Sequence, residues 1–512
     1  MLFEGPISSK PFIRWIRTDR ENRLLLRLAV IAIIVQFMVF KFLYPFPNFM
    51  PPDSYSYLEA ASKNQSINIW AIGYSKFLRL FSSFTNSHVV LVWFQYFLLE
   101  ASLLGFLFSV RYLFSTGKWL FRILAVITIL NPLVPHISNF VGSDTIFTAL
   151  SLIWFTQLLW ILFKPNLRLV LWHALVLLLA FMVRYNSLYY PLISIIIIVG
   201  SRLQMKVRWM GVGAIVILLG GFITNTEFAY HRITNTWQYS AFGGWQIAAN
   251  ALYGYAHAVP EAPERIPREF RKLHTMVNDH MKSLHRIPFF LRPDHDVSVY
   301  YLWDFNSPLK TYMDEQWKTD TIGSYFKHWG SMGSLYAAYG RYLIWHHPIP
   351  FIKFYIWPNL VKYYSPPVGF MGYYALGNNQ VDPIAVDWFG WKSNKISTRF
   401  KNSEISVTQP FPVLVAMANL LFVFSFLGFG ILGGFRKATK YSKQVLWWVF
   451  AIWLGNMVFS VISAPIELRY QLFPIIITLS FLSLFLSFLI QASRSVDKKM
   501  QLTQGIPALL IQ

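Results

Sequence analysis

The run Leu28-Ala29-Val30-Ile31-Ala32-Ile33-Ile34-Val35-Gln36-Phe37-Met38-Val39-Phe40 has Gln36 as its single polar side chain. Ahead of it stand Lys10, Arg14, Arg17, Arg20, Arg23 and Arg27, and no small-x-small cleavage site follows. A basic lead, a long apolar run and no cleavage signal read as a retained signal anchor. Basic residues stay on the cytoplasmic side of a span, so this run also fixes an expected orientation for the chain.

The same pattern recurs outward from this stretch. Of the 512 residues, 55% are hydrophobic and only 13% charged, and the apolar residues are gathered into long runs, which marks a polytopic membrane protein. The formal charge of +22 would suggest a nucleic-acid partner in a soluble chain. Here the cations cluster beside apolar runs, so nucleic acid is not expected. Without cysteine there is no disulfide, thiolate metal site or cysteine nucleophile.

A span needs about 17–25 predominantly apolar residues. Runs near 26–45, 88–110, 119–136, 141–163, 167–184, 186–201, 209–225, 411–434, 445–463 and 470–491 meet or approach that length. About ten transmembrane helices are therefore expected in an all-α fold. The basic groups Arg111/Lys118/Arg122, Lys164/Arg168, Arg202/Lys206/Arg208, Arg436/Lys437/Lys440/Lys443 and Arg494/Lys498/Lys499 then fall in every second loop. Both termini are expected in the cytoplasm. The organisation that follows is an N-terminal transmembrane module at 1–225 with a first outer loop at 46–87, a large outer segment at 226–410, and C-terminal helices with a cytoplasmic tail at 411–512.

Within the first outer loop, Trp70, Tyr74, Phe77, Leu78, Phe81 and Phe84 recur at helical spacing while Lys76, Arg79 and Ser83 take the other side. This juxtamembrane amphipathic helix would lie in the headgroup plane or pack on the protein itself. The 226–410 segment is rich in Trp, Tyr, His and Pro, and is expected to be ordered and mainly helical, with short helices resting on the membrane.

On this topology, polar groups converge at the outer mouths of several helices: Asp53, His136, Asp144, Arg184 with Asn186, and Glu467 with Arg469 and Tyr470. Rare polar groups at one membrane depth suggest a site. Each has a plainer reading beside it. Asp53 and Asp144 are at positions where a carboxylate caps a helix, and Ser56-x-x-Glu59 offers a rival capping box. Arg184 and Arg469 could be snorkelling anchors, and Glu467 could serve only to neutralise Arg469. Asp294-His295-Asp296 and His346-His347 contain metal-ligand types without a fixed geometry and read as loop residues. Glu100 lies deep in a span and reads as structural.

The motifs Pro52-Asp53-Ser54-x-x-Tyr57 and Gly73-Tyr74 in the first outer loop, Gly142-Ser143-Asp144 opening the fourth span, Arg184-x-Asn186 closing the fifth, and Pro465-x-Glu467-x-Arg469-Tyr470 opening the last together resemble the C-type integral membrane glycosyltransferases. The likeness is to bacterial relatives of protein O-mannosyltransferases and aminoarabinose transferases. It covers the membrane half well and 226–410 loosely. Ser54 stands where many relatives have a second acid, and Ser75 where a proline is usual.

The resemblance implies transfer of a hexosyl or pentosyl group from a polyprenyl-phosphate carrier to a lipid, glycan or protein acceptor, with inversion, at the outer face of a bacterial inner membrane. It casts Asp53 and Asp144 as catalytic. Arg184 and Arg469, with Lys63 in reserve, would hold the donor phosphate, whose planar pairs of oxygens suit guanidinium. Tyr57, His136, Asn186, Glu467 and Tyr470 would line the substrate site. A divalent cation such as Mg or Mn is compatible with the resemblance but not required by the sequence. The alternative from another class is a transporter or flippase of lipid-linked saccharides, which would place ionisable residues near mid-bilayer and broken helices in matched positions.

Overall fold

A computed structural model of the chain describes residues 8–114, 116–320, 324–400 and 403–503. The tail of the 411–512 module beyond Thr503, and the side chains of Lys498 and Lys499, lie outside the described residues. The described chain is helical, and its β-pairing is confined to isolated bridges. Among the described residues, eight helices are long and apolar enough to cross a membrane: Arg20–Leu43, His88–Leu113, Lys118–Ser138, Asp144–Phe163, Met205–Thr234, Ser406–Ile431, Ser442–Ser463 and Leu472–Arg494. Two shorter apolar helices, Leu167–Val183 and Tyr185–Gly200, fall where the sequence has its fifth and sixth apolar runs.

Only 17% of the apolar window of Arg20–Leu43 is buried against protein. Its outward Leu28, Ile31, Val35 and Met38 can be covered only by an apolar surrounding, and a helix satisfies its own backbone there. The chain is thus a helical, multi-pass, membrane-embedded protein.

Local sequence sets where these helices start and break. Asp19 accepts the amide of Asn22 at 2.8 Å to open Arg20–Leu43, and Asn166 accepts that of Leu169 at 3.0 Å to open Leu167–Val183. The run Lys118–Ser138 is interrupted at Asn131-Pro132. Proline cannot donate to the helix ladder, and Asn131 Oδ1 takes the freed amide of Leu133 at 3.0 Å. The short helix Leu133–Ser138 then delivers the chain to Asp144.

The segment at 226–410 is helical and joins two cores. Met205–Thr234 runs through residue 225 without a break. From Tyr230 to Tyr355 the apolar side chains form a core of their own, in which helices Ala241–Tyr255 and Gly333–His346 pack with Trp245 stacked on Trp329 at 5.3 Å. From Met371 to Ile405 the chain returns to the membrane core, where Tyr374 donates to the Pro47 carbonyl at 3.1 Å.

The amphipathic helix forms over Gly73–Ser82. Its apolar face packs on the protein: Tyr74 meets Tyr57 at 4.9 Å, and Phe77 and Phe81 meet Phe94 at 5.6 and 5.7 Å. A Cβ on Gly73 would lie 2.6 Å from the Met182 backbone, so glycine is what allows this helix to close on the end of Leu167–Val183.

Candidate active site

Arg469 is the centre of a buried charge cluster. Its Nη1 lies 3.4 Å from Asp53 Oδ2 and 3.8 Å from Asp144 Oδ2. Its Nε donates to Glu467 Oε2 at 3.1 Å, and its Nη2 donates to the Tyr470 hydroxyl. Arg184 Nη1 donates to the other Asp144 oxygen, and its guanidinium stands over the Tyr470 ring, 4.8 Å from the centroid. Four chain segments far apart in sequence therefore meet. Asp53, Tyr57, Ser143, Asp144, Arg184, Arg469 and Tyr470 line one cleft of roughly 350 Å³ together with Met50, Ser54, Trp70 and Phe140.

Each charged group is brought there by its own local structure. Asp53 is the first residue of helix Asp53–Ser62, but its carboxylate caps nothing. The Ser54 hydroxyl accepts the Met50 amide ahead of the helix, at 2.9 Å. The rival box is not formed either: Ser56 donates to Asn68 at 3.1 Å, and Glu59 pairs with Lys63. Asp144 likewise opens Asp144–Phe163 without capping it, and Ser143 is turned to the Tyr57 hydroxyl at 3.0 Å.

Gln95, inside helix His88–Leu113, holds the approach to Asp144. Its amide donates to the Ser138 and Phe140 carbonyls at 2.9 and 3.0 Å and accepts from Tyr74 at 2.8 Å. Asn48 ties the first outer loop to the same segment through Asn139 and Val141. Arg184 is extended at the end of Leu167–Val183, where the chain turns into a short 3-10 helix. Asn359 fixes the stretch leading to Arg469 by donating to the Val461 and Ala464 carbonyls at 2.7 and 2.8 Å and accepting the Ile466 amide at 2.9 Å.

Compared with family models, curated proteins and solved structures, the chain matches none.

Three residues expected at the site lie elsewhere. Lys63 is largely exposed and pairs with Glu59, because it sits at the far end of the helix that Asp53 begins. His136 is buried with its ring edge-on to those of Phe40 and Tyr44, at 4.9 and 5.1 Å, on the broken helix before Asp144. Asn186 is half-buried in the 3-10 turn after Arg184 and is not part of the cleft lining. Glu467 stands behind Arg469, outside the lining, and orients it. Ser143 and Trp70 line the cleft without having been expected there. The sequence carried a signal for Ser143, next to Asp144 in the fourth-span motif; Trp70 read only as one position of an amphipathic face.

Burial pushes the Asp53 carboxyl above the ordinary carboxylate range, and the neighbouring Arg469 offsets this only in part. Burial raises Glu467 in the same way. With all three carboxylates ionised, the two guanidiniums leave the cluster one charge short of neutral. A proton is therefore readily held here, and an incoming phosphate can take over guanidinium contacts that the carboxylates now occupy.

The same pairing argues against a divalent cation among these side chains. Asp144 presents one oxygen to Arg184 and the other towards Arg469, and Asp53 faces Arg469 as well. A cation between the carboxylates would face two guanidiniums at close range, and Ser54 supplies no second acid to balance them. The residues present do not fit such an ion. The other metal-type residues lie apart from the cleft: Asp294 accepts from Tyr301, Asp296 pairs with Lys362, and His347 Nε2 lies 3.3 Å from Glu261.

Proposed function

We propose that the protein is an integral membrane glycosyltransferase, moving a sugar from a polyprenyl-phosphate donor to an acceptor hydroxyl or amide at the outer face of a bacterial inner membrane. The observation that carries this reading is the convergence of Asp53, Asp144, Arg184 and Arg469 in one cleft at one end of the apolar helices. With ten crossings, counting the two shorter apolar helices, the alternation of basic loops supports a reading in which that end faces outward and both termini lie in the cytoplasm.

In the proposed reaction, Asp53 takes the proton of the acceptor as its oxygen or nitrogen bonds to the anomeric carbon. The bond from that carbon to the phosphate oxygen breaks on the opposite side, and the phosphate leaves with the electron pair. One displacement inverts the configuration. Phosphate is a fair leaving group, so a base and a fixed positive field suffice. Arg184 and Arg469 supply that field in a planar arrangement that suits phosphate oxygens. Asp144 and Glu467 hold the two guanidiniums in place.

Purified protein given a labelled lipid-linked sugar and envelope acceptors should release polyprenyl phosphate. Arg184→Ala should lower that release roughly a hundred- to a thousand-fold, as loss of a charge-stabilising donor does. Release that is unaffected by the substitution would remove Arg184 from the phosphate site.

A second reading, a flippase of lipid-linked saccharides, is favoured by the interruption of Lys118–Ser138 and by the buried Glu100. In sealed proteoliposomes it would move intact donor across the bilayer without cleaving it.

A further inference from the structure

Helix Arg271–Leu284 is followed by the loop Arg286-Ile287-Pro288-Phe289-Phe290-Leu291-Arg292, an apolar run between two arginines. Its apolar side chains are left uncovered by the 230–355 core: Phe290 is 72% exposed, Leu291 65% and Phe289 49%. The loop is nevertheless a built turn. The Leu291 amide donates to the Pro288 carbonyl at 2.9 Å, the Arg292 amide to that of Phe289 at 3.2 Å, and Arg292 Nε to that of Ile287 at 3.0 Å. A turn that bonds its own backbone in this way is suited to an apolar surrounding.

The neighbours of the loop fix its height. Phe289 meets the His257 ring edge-on at 5.7 Å, and His257 stacks on Phe354 at 3.7 Å. Phe354 belongs to an unbroken run of helical turns, Pro348–Phe351, Ile352–Ile356 and Trp357–Tyr364. That run lies along the end of the span Ser442–Ser463: Tyr363 donates to Asn456 at 2.9 Å, Asn359 to the Val461 carbonyl at 2.7 Å, and Tyr355 to the Ile462 carbonyl at 3.4 Å. Followed from Tyr363 back to Tyr355, it climbs from inside the span to its last turn. Phe354, and the loop beside it, therefore stand level with the end of the span, where the apolar interior of a bilayer gives way to headgroups. Ile352 and Trp357 on the same run are also exposed, and tryptophan is a favoured side chain at this depth. Cations border the apolar residues. Arg286 and Lys353 are both exposed, the latter with its ammonium 5.1 Å from the centroid of the Phe354 ring.

We propose that this face is seated in the membrane leaflet on the cleft side, with Phe289, Phe290 and Leu291 at the acyl boundary and Arg286 and Lys353 against lipid phosphates. Lipid is the occupant because the face continues from the flank of a span and is bordered by cations, as a surface lying at the boundary of headgroups and acyl chains is. The attachment is independent of the transferase reading. It would hold the 230–355 core in place, and with it Phe242 and Trp303, which pack on the cleft residue Trp70 at 4.9 and 5.5 Å.

The chain has no cysteine, so Phe290→Cys can carry a single nitroxide in nanodiscs that hold one copy of the full-length protein in anionic lipid. Power-saturation EPR then compares collisions with oxygen, which concentrates in the bilayer, and with a water-soluble nickel chelate. Oxygen collisions are expected to exceed nickel collisions several-fold, as for a label at Val216, exposed within the span Met205–Thr234, and opposite to a label at the exposed Ser62. Adding Arg286→Gln and Lys353→Gln should move the ratio towards the Ser62 value. Leu291→Cys gives the same reading if the Phe290 variant does not fold. A label as open to nickel as the one at Ser62 overturns the seating, and a label shielded only in discs that hold two copies assigns the face to a second copy instead. An unchanged ratio after the two glutamine substitutions overturns the phosphate contacts.

Discussion

A carboxylate can act as a base only if it is not tied up in the backbone, and the Asp53 carboxylate caps nothing. Ser54 accepts the Met50 amide, and Asp53 faces Arg469 across the cleft. A base works ionised, and burial holds Asp53 above the usual range. Activity should therefore fall, as pH drops, at a value higher than the roughly 3.9 of a free aspartate. A pH profile of kcat/KM checks this, and an acid limb at or below the free-aspartate value would count against Asp53. Because Arg184 and Arg469 already occupy the carboxylates, turnover is expected to survive excess EDTA, and loss of activity restored by Mg or Mn would contradict the reading of the pairs. Arg469→Ala leaves three buried carboxylates around one empty position, at a cost of about 3–5 kcal/mol, visible as a lowered Tm. In the sequence these residues could be picked out as rare polar groups at helix mouths. Their roles as caps or site residues could not, because Ser54 bonds the Met50 amide and Ser143 the Tyr57 hydroxyl while the adjacent aspartates turn to arginines from distant segments.

The elements that hold the cluster are pinned by single buried amides. Asn359 satisfies two carbonyls and one amide of the stretch before Glu467. Asn359→Leu strands all three, each at about 1–3 kcal/mol. The expected outcome is a marked drop in Tm together with lost activity from displacement of Arg469, measured on the same preparation; an unchanged Tm would show that the stretch is held by other contacts. Gln95 has the same part on the Asp144 side. Period and hydropathy made the apolar helices legible, including the two that are too short to span by length alone. They could not show that the amphipathic face of Gly73–Ser82 packs on Tyr57 and Phe94, because an apolar stripe reads alike whether lipid or protein covers it. Nor could they show Asn359 or Gln95 as clamps, since a buried amide has a meaning only through distant backbone partners.

At the scale of the molecule, the membrane core and the 230–355 core meet at Trp70, which packs on Phe242 and Trp303, and the cleft gathers residues far apart in sequence into one small space. Long-range assembly of this kind has no local sequence signal, whereas the alternation of basic loops does. The chain lacks cysteine, so single cysteines can test its sidedness directly. With cysteine at the exposed position Ser62, intact cells should react with an impermeant maleimide; with cysteine at the exposed position Lys440, reaction should need lysis. The reverse pattern would place the cleft in the cytoplasm. The central claim, that Asp53 is the base of a sugar transfer in this cleft, is tested most directly by donor binding and single-turnover transfer measured on one folded sample of Asp53→Asn. The account predicts that the donor still binds and that transfer falls by roughly a hundred- to ten-thousand-fold. Transfer at the wild-type rate would contradict it.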